Sequence, residues 1–210
     1  MDKKTSAAVI RQLRSRYGAV KPALDYRSVY ELCIAVVLSA QTTDRQVNLV
    51  TPELFRLYPD AASLAKAPVS KLESIVRSTG FYKMKAKHIS ALAKIVSERF
   101  GGDIPGDRTS LESLPGVGRK SANVILSQGF GVPAMAVDTH VGRIAVRLGY
   151  TVSENPLEAE KALCSFIPEK DWTEAHLLFI THGRTICTAR KPACGNCPVA
   201  KLCPSANSNY

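Results

Sequence analysis

The sequence has no apolar stretch long enough to cross a membrane. Its longest uninterrupted apolar run is Leu32–Leu38, whereas a membrane-spanning helix needs about 20 residues. The first residues, Met1–Lys4, lead into an amphipathic pattern and lack the apolar core and small residues of a signal peptide. We therefore expect a cytoplasmic protein with no membrane partner.

The sequence also has almost no sustained alternation of polar and apolar residues, which is the pattern that marks β-strands. Helical periodicity dominates instead. The segment Val29–Leu38 is apolar on nearly every side, and a helix of that kind lies at the centre of a bundle. No internal repeat is present, and the only low-complexity stretch is the polar end Ser205–Tyr210. The predicted fold class is all-α.

Several segments carry helix start signals. Ser28–Glu31 and Thr109–Glu112 have the spacing of a capping box, and Asn155-Pro156 supplies a cap followed by a proline at the first helical position. The other predicted helices are Ser6–Tyr17, Asp44–Leu57, Ala61–Ala67, Val69–Ser78, Lys83–Phe100, Leu157–Ile167 and Trp172–Gly183.

Acidic residues are too few to balance the basic ones. The chain has 28 Lys and Arg against 18 Asp and Glu, so its formal net charge is +10. A surplus of this size favours a polyanionic partner, because basic side chains neutralise phosphates and release counterions. The alternative, a generally basic solvated surface, accounts for most of these side chains individually. The charge nevertheless predicts nucleic-acid binding.

Disulfides are not expected in a cytoplasmic protein, so the six cysteines need another explanation. Four of them lie close together near the C-terminus, with the spacing C-x6-C-x2-C-x5-C: Cys187, Cys194, Cys197 and Cys203. Zinc and iron–sulfur clusters both accept four thiolates, and the spacing alone leaves both open. The other two, Cys33 and Cys164, lie in helical patterns and are read as buried apolar residues.

A glycine-rich turn separates two helical patterns. It is formed by Leu114, Pro115, Gly116, Val117 and Gly118, and Arg119 and Lys120 follow at once. Glycines permit a tight turn that exposes backbone amides, and the start of a helix adds positive potential. Such a turn binds a phosphate. An ordinary helix–helix turn is the alternative, which the adjacent Arg-Lys pair disfavours.

Lys120 is placed in the first turn of the helix that follows. A cation there is electrostatically unfavourable, because that helix end is already positive. The helix end, Arg119 and partial burial would all favour the neutral amine, which is the form that attacks carbon. A phosphate contact or a solvated charge is the simpler interpretation.

Taken together, these motifs resemble the helix-hairpin-helix base-excision glycosylases, and most closely the endonuclease III family. The resemblance rests on Leu38–Asp44, on Leu114–Lys120, on Val137–Arg143 and on the C-terminal cysteines. It implies a bifunctional DNA glycosylase and AP lyase that removes oxidised pyrimidines. Lys120 would displace the base from C1′ and form a Schiff base, and β-elimination would nick the strand. Asp138 would stabilise positive charge on the sugar and assist proton movement, besides being a helix N-cap.

The resemblance also implies a structural [4Fe–4S] cluster on the four cysteines, and residues that fill the gap left by a flipped nucleotide. The gap-filling positions are Gln41, otherwise a helix cap, and Phe81, where the family more often has leucine. The larger aromatic ring would either stack on the opposite base or pack inward. The remaining residues expected at the DNA lie in the glycine turn, after Asp138 and around the cluster loop. They are Leu114, Pro115, Gly116, Val117, Gly118, Arg119, His140, Arg143, Arg184, Arg190 and Lys191.

The family has two helical domains flanking a DNA-binding cleft, with the lysine and the aspartate facing each other. Carried over, one domain spans 22–132, with the helix-hairpin-helix at about 108–127. The other combines 1–21 with 133–210 and carries the cluster loop 187–203. We expect a monomer, associated with the nucleoid, that binds double-stranded DNA containing damaged bases or abasic sites.

Three alternatives remain at this point. A relative that removes adenine from mispairs would share the fold and cluster, but it does not have lysine at the position of Lys120 and usually carries a further C-terminal domain. A non-catalytic helix-hairpin-helix DNA-binding protein would need neither Lys120 nor Asp138. The third is an enzyme that mainly nicks abasic sites, with little or no base removal.

Overall fold

The computed structural model describes residues 1–207, and no strand occurs among them. The all-α prediction is confirmed. Residues 208–210, which are predicted to end the second domain, lie outside the described residues. Within 1–207, no helix has both the length and the hydropathy to span a membrane. The chain divides into two compact units, Pro22–Val132 and Met1–Lys21 together with the chain from Pro133 onward.

The unit Pro22–Val132 is built around one buried helix. Its helices are α2 (Val29–Leu38), α3 (Asp44–Leu57), α4 (Ala61–Ala65), α5 (Val69–Ile75), α6 (Tyr82–Arg99), α7 (Arg108–Glu112) and α8 (Arg119–Gly129). Helix α2 is buried from Tyr30 to Leu38 and packs against α3, α6 and α8. The hydroxyl of Ser28 caps it by accepting the Glu31 amide at 3.2 Å. The apolar pattern therefore placed this helix correctly.

Several helix boundaries differ from the sequence prediction, and the differences at α7 and α5 concern how an element begins or ends. Helix α7 begins after Asp107 rather than at a Thr109 cap, because the Asp107 carboxylate accepts the Ser110 amide at 2.9 Å. A carboxylate at that position also interacts favourably with the positive helix end. The predicted helix Val69–Ser78 is interrupted: α5 ends at Ile75, and a 3₁₀ turn, Arg77–Thr79, follows.

The second unit contains α1 (Lys3–Tyr17), α9 (Thr139–Arg147), α10 (Pro156–Phe166) and α11 (Trp172–Thr185). Its core joins residues from all four helices, including Leu13, Ile144, Leu163 and Phe179. A bidentate ion pair between Arg14 and Glu174, at 2.7 and 2.6 Å, links α1 to α11 at the surface. The N-terminal helix is thus part of the same core as the C-terminal helices.

Burial of α2 predicts a large difference between two identical substitutions. Val36 is 3% exposed and Val152 is 98% exposed. Val36→Ala should lower the free energy of unfolding by about 2 kcal/mol, since it removes buried carbons and leaves a cavity. Val152→Ala should change it by less than about 0.5 kcal/mol. Urea unfolding of both variants measures the difference, and equal effects would contradict the central position of α2.

Candidate active site and cluster loop

The glycine turn is fixed to the core by its two apolar side chains. Leu114 is 2% exposed and Val117 is 5% exposed. Gly116 adopts φ +82, and a Cβ built there would lie 2.9 Å from Val37 Cγ1 and 3.1 Å from His88 Nδ1. The turn therefore packs closely against α2 and α6, and only glycine fits both the backbone and the space.

This packing limits how the turn can meet DNA. Because the Leu114 and Val117 side chains point into the core, they are not available as contacts, and these two positions can offer only backbone groups. Gly116 and Gly118 are exposed, and Gly118 is the N-cap of α8 without any side chain to cap it. The leading amides of a helix lack intrahelical acceptors. The turn thus presents amides and the positive end of α8 to an anion.

Lys120 is the second residue of α8 and is exposed. The partial burial expected from the sequence is therefore wrong for the chain without DNA. The reason is that the buried face of α8 begins two residues later, at Ala122. Arg119 is exposed beside it, so the first turn of α8 carries two exposed cationic side chains directly after the amides.

Asp138 is the N-cap of α9, as its position before an apolar helix predicts. Its Oδ1 accepts the amides of His140 at 2.9 Å and Val141 at 2.8 Å. Within the described residues, Oδ2 accepts no hydrogen bond. An open depression of about 1330 Å³ lies beside this carboxylate and includes Arg143 and Arg147 in its lining. One oxygen thus fixes the group, and the other remains free to act on a ligand.

Two residues expected at the DNA have bonds within the second unit. Arg143 donates to the carbonyl of Cys187 at 2.9 and 3.1 Å and to that of Gly183 at 2.9 Å. The same guanidinium lies 3.2 Å from Nδ1 of His140. The Arg143 side chain therefore connects α9 to α11 and to the cluster loop, and His140 lies beside it on α9. In this structure the Arg143 guanidinium is engaged in hydrogen bonds that link α9 to α11 and to Cys187.

The four C-terminal cysteines line one cavity of about 410 Å³, together with apolar residues such as Ile144 and Val199. Among residues 1–207, no three His, Cys, Asp or Glu side chains are spaced to hold a single metal ion. Four thiols around one cavity provide the donor set of a cluster, in which each cysteine binds its own iron. The residues present therefore fit a [4Fe–4S] group.

Two side chains lie within hydrogen-bonding distance of these thiols. Arg147 donates to Cys187 Sγ at 3.3 Å and to the carbonyls of Thr188 and Ala189. His182 Nε2 lies 3.5 Å from Cys197 Sγ, and burial lowers the pKa of His182 to about 4. Burial also raises the pKa of Cys197. A donor such as Arg147 stabilises a thiolate bound to iron.

The basic residues of this segment lie on its surface. Arg184, Arg190 and Lys191 are all exposed. Arg184 is in the last turn of α11, and the other two are in the cluster loop. The loop is held by a hydrogen bond from Thr188 to the Lys191 carbonyl at 2.7 Å. These cations are thus carried by a segment that the cluster and its hydrogen bonds would hold in place.

Gln41 and Phe81 share an unusual backbone conformation. They are the only non-glycine residues with positive φ among the described residues, at 53 and 47. Both are exposed, and Phe81 keeps 60% of its surface. Strained residues of this kind concentrate at functional sites. The inward packing considered for Phe81 is therefore wrong for this structure, since Phe81 projects from the start of α6.

Two residues that the sequence did not single out support these loops. Gln46 donates to the hydroxyl of Ser78 at 2.7 Å, and the buried Lys85 donates to the Thr79 carbonyl at 2.7 Å. A glutamine and a lysine in amphipathic helices look like surface residues. They differ from ordinary surface residues only in the burial of Lys85 and in the contact that Gln46 makes between the two loops.

Comparison with known proteins defines the class. Residues 34–169 match the family model described as "HhH-GPD superfamily base excision DNA repair protein". Residues 187–203 match the iron-sulfur binding domain of endonuclease III. The open choice between zinc and iron–sulfur is thereby decided, and the chain carries a [4Fe–4S] cluster.

Individual relatives are similar over nearly the whole chain. Endonuclease III of Synechocystis sp. is 43% identical over 208 residues, which cover 99% of this chain and 95% of the relative. A non-covalent endonuclease III–DNA complex and a trapped endonuclease III–DNA covalent intermediate both superpose with a TM-score of 0.93 at 40% identity, covering 98% of this chain and 97% of each relative. The chain belongs to the endonuclease III family. It is a DNA glycosylase with AP lyase activity that works in base excision repair.

The turn offers a matched pair of substitutions. Gly116→Ala should destabilise the protein by at least about 1–2 kcal/mol, because a left-handed backbone is costly for alanine and its Cβ would overlap Val37. Gly118 has an extended backbone, and a Cβ built there has no atom within 4 Å. The control substitution is Gly118→Ala. It should change the unfolding free energy by less than about 1 kcal/mol. Thermal unfolding compares the two, and equal stabilities would refute the close packing.

Proposed function

We propose that this chain removes oxidised pyrimidines from duplex DNA and nicks the abasic strand, with Lys120 as the nucleophile. The observation that carries this proposal is the exposed amine of Lys120 in the first turn of α8, directly after a turn that presents backbone amides. The amides and the positive helix end would bind a phosphate of the damaged strand. The DNA itself would then supply the burial that Lys120 lacks in the free chain.

The chemistry follows from an amine that attacks a sugar carbon. The lone pair of the Lys120 amine forms a bond to C1′ while the base leaves with the glycosidic electron pair and takes up a proton. Opening of the sugar ring gives a Schiff base. Loss of a proton from C2′ then expels the 3′ phosphate by β-elimination, and water finally hydrolyses the imine. A proton is transferred in each of these steps, and a nearby carboxylate can accept or donate that proton.

Asp138 is suited to that assistance. Its Oδ1 is held by two amides of α9, so the free Oδ2 keeps a fixed direction. A carboxylate in a fixed position stabilises positive charge as it develops on the sugar, without reorganising during the reaction. We assign this role to Asp138, together with proton transfer to and from the amine.

The flipped nucleotide leaves a gap in the duplex. We assign the filling of this gap to Gln41 and Phe81, which are supported in that role by their exposed side chains and left-handed backbones. A phenylalanine at 81 offers an aromatic face on which the opposite base can stack. Arg119, Arg184, Arg190 and Lys191 would contact phosphates.

The cluster has a structural role in this proposal. Cys187, Cys194, Cys197 and Cys203 would be its ligands, one for each iron, and the bound cluster would cross-link the loop that carries Arg190 and Lys191. Base removal by an amine needs no redox step. The proposed partner is double-stranded DNA containing damaged bases or abasic sites. The proposed location is the cytoplasm, in association with the nucleoid, and the protein would act as a monomer.

Lys120→Gln tests the nucleophile. The variant should nick an abasic duplex at least about 10³-fold more slowly than the wild type, since no other proposed group can form the Schiff base. Borohydride should trap the wild type on that duplex and should not trap the variant. Lys87→Gln, which removes an exposed charge from α6, is the control and should behave as the wild type.

Full nicking by Lys120→Gln would overturn the mechanism. A wild type that binds the duplex but is never trapped would favour the non-catalytic DNA-binding protein. Trapping combined with little excision from a thymine glycol duplex would favour an enzyme that mainly nicks abasic sites.

The cluster ligands are tested by one cysteine and a control. Cys194→Ser should lose the brown colour of the purified protein and most of its iron, whereas the wild type should contain about four iron atoms per chain. Cys164→Ser, in α10 and outside the cluster cavity, should keep both. Retention of all the iron by Cys194→Ser would contradict the proposed ligand set.

A further inference from the structure

Lys85 occupies a position that is unfavourable for a charged side chain. It is the fourth residue of α6, only 2% of its surface is exposed, and burial lowers its pKa. A cation in the first turn of a helix lies next to the positive helix end, and burial removes it from water. Within the described residues its ammonium group has one acceptor, the Thr79 carbonyl at 2.7 Å. The mechanism proposed above does not use this group.

The two nitrogens of Lys85 hold the strained segment Gly80-Phe81 from both sides. The ammonium group binds the carbonyl that precedes Gly80, and the backbone amide of Lys85 donates to the carbonyl of Phe81 at 3.1 Å. Between these bonds, Gly80 and Phe81 both adopt left-handed φ values of 67 and 47. Thr79 is itself buried, and its hydroxyl donates to the Val76 carbonyl at 2.8 Å.

A second hydrogen bond joins this support to the Gln41 loop. The Gln46 side chain, in the first turn of α3, donates to the Ser78 hydroxyl at 2.7 Å. The Gln46 amide is capped by Thr43, at the end of the turn that contains Gln41. The two strained residues therefore project from loops that are connected through Gln46 and Ser78.

We propose that Lys85 is a positioning residue that fixes Phe81 for entry into the duplex, and that the Gln46–Ser78 bond joins the Gln41 loop to the same support. The proposal rests on the proposed function, in which Phe81 fills the gap left by the flipped nucleotide. Without the bond to Thr79, the backbone of Gly80 and Phe81 is free to leave its strained conformation. Phe81 then no longer meets the base stack in a fixed orientation, whereas the amine of Lys120 is unaffected.

Lys85→Met tests this role, because methionine keeps most of the length and volume of lysine but cannot donate to Thr79. Three measurements are needed: excision of thymine glycol from a duplex, fluorescence of a 2-aminopurine placed opposite that lesion, and borohydride trapping on a single-stranded abasic oligonucleotide. The single-stranded abasic oligonucleotide can form the Schiff base but has no duplex base stack that must be opened. Lys87→Met, exposed on the same helix, is the control.

For Lys85→Met we expect duplex excision to fall at least about tenfold, as misplacement of a positioning group does, and the 2-aminopurine signal on binding to be lost. Trapping on the single strand should stay within about twofold of the wild type, because Lys120 is intact. Lys85→Arg, which restores a donor, should recover part of the excision. Lys87→Met should match the wild type in all three measurements.

The proposal is overturned if Lys85→Met excises from the duplex at the wild-type rate, or if trapping on the single strand falls as much as duplex excision does. Should Lys85→Met fail to fold, Gln46→Leu decides, since it breaks only the bond to Ser78. It should reduce duplex excision and the 2-aminopurine signal while leaving trapping unchanged, and wild-type values would overturn the proposal. A wild type that cannot be trapped would instead refute the proposed function.

Discussion

The close packing of Gly116 against Val37 and His88 is the constraint on which the Pro22–Val132 unit depends. A Cβ at Gly116 would lie 2.9 Å from Val37 Cγ1, so the turn packs against α2 too closely for any side chain at this position. Leu114 and Val117 extend this contact into the core. The start of α8 is thereby fixed, and with it the direction of the leading amides and of Lys120. The position of the exposed Lys120 is thus set by a turn whose two apolar side chains are buried.

Each of the two proposed catalytic groups lies at the start of a helix. Lys120 stands in the first turn of α8, directly after the exposed amides of the glycine turn. Asp138 caps α9, where the positive helix end favours a carboxylate and two amides fix one of its oxygens. The start of a helix thus presents an amine at one site and holds a carboxylate in a fixed position at the other.

The features that sequence could predict are those set by local chemistry. The largely apolar segment Val29–Leu38 identified the buried helix α2, and Asn155-Pro156 identified the start of α10 through a cap that the structure contains. The start of α7 was missed because two cap candidates, Asp107 and Thr109, lie within one turn. Only the structure shows which side chain reaches an amide.

Other features depend on contacts that no local pattern records. Positive φ is expected at glycine, so nothing in the sequence marks Gln41 or Phe81 as strained. A lysine in an amphipathic helix is read as a surface residue, and the burial of Lys85 follows from the packing around it. The exposure of Lys120 was also unpredictable, since it depends on where the buried face of α8 begins. Charge and motif indicated the chemistry, and tertiary packing determined which side chains are free to perform it.

The most direct measurement of the central claim is the identity of the amine that bonds to the sugar. Wild-type protein reduced with borohydride on an abasic duplex should be digested, and the DNA-linked peptide sequenced by mass spectrometry. A single modified residue, Lys120, is expected in the peptide that follows the glycine turn. Modification of another lysine or of the N-terminal amine, with Lys120 unmodified, would contradict it.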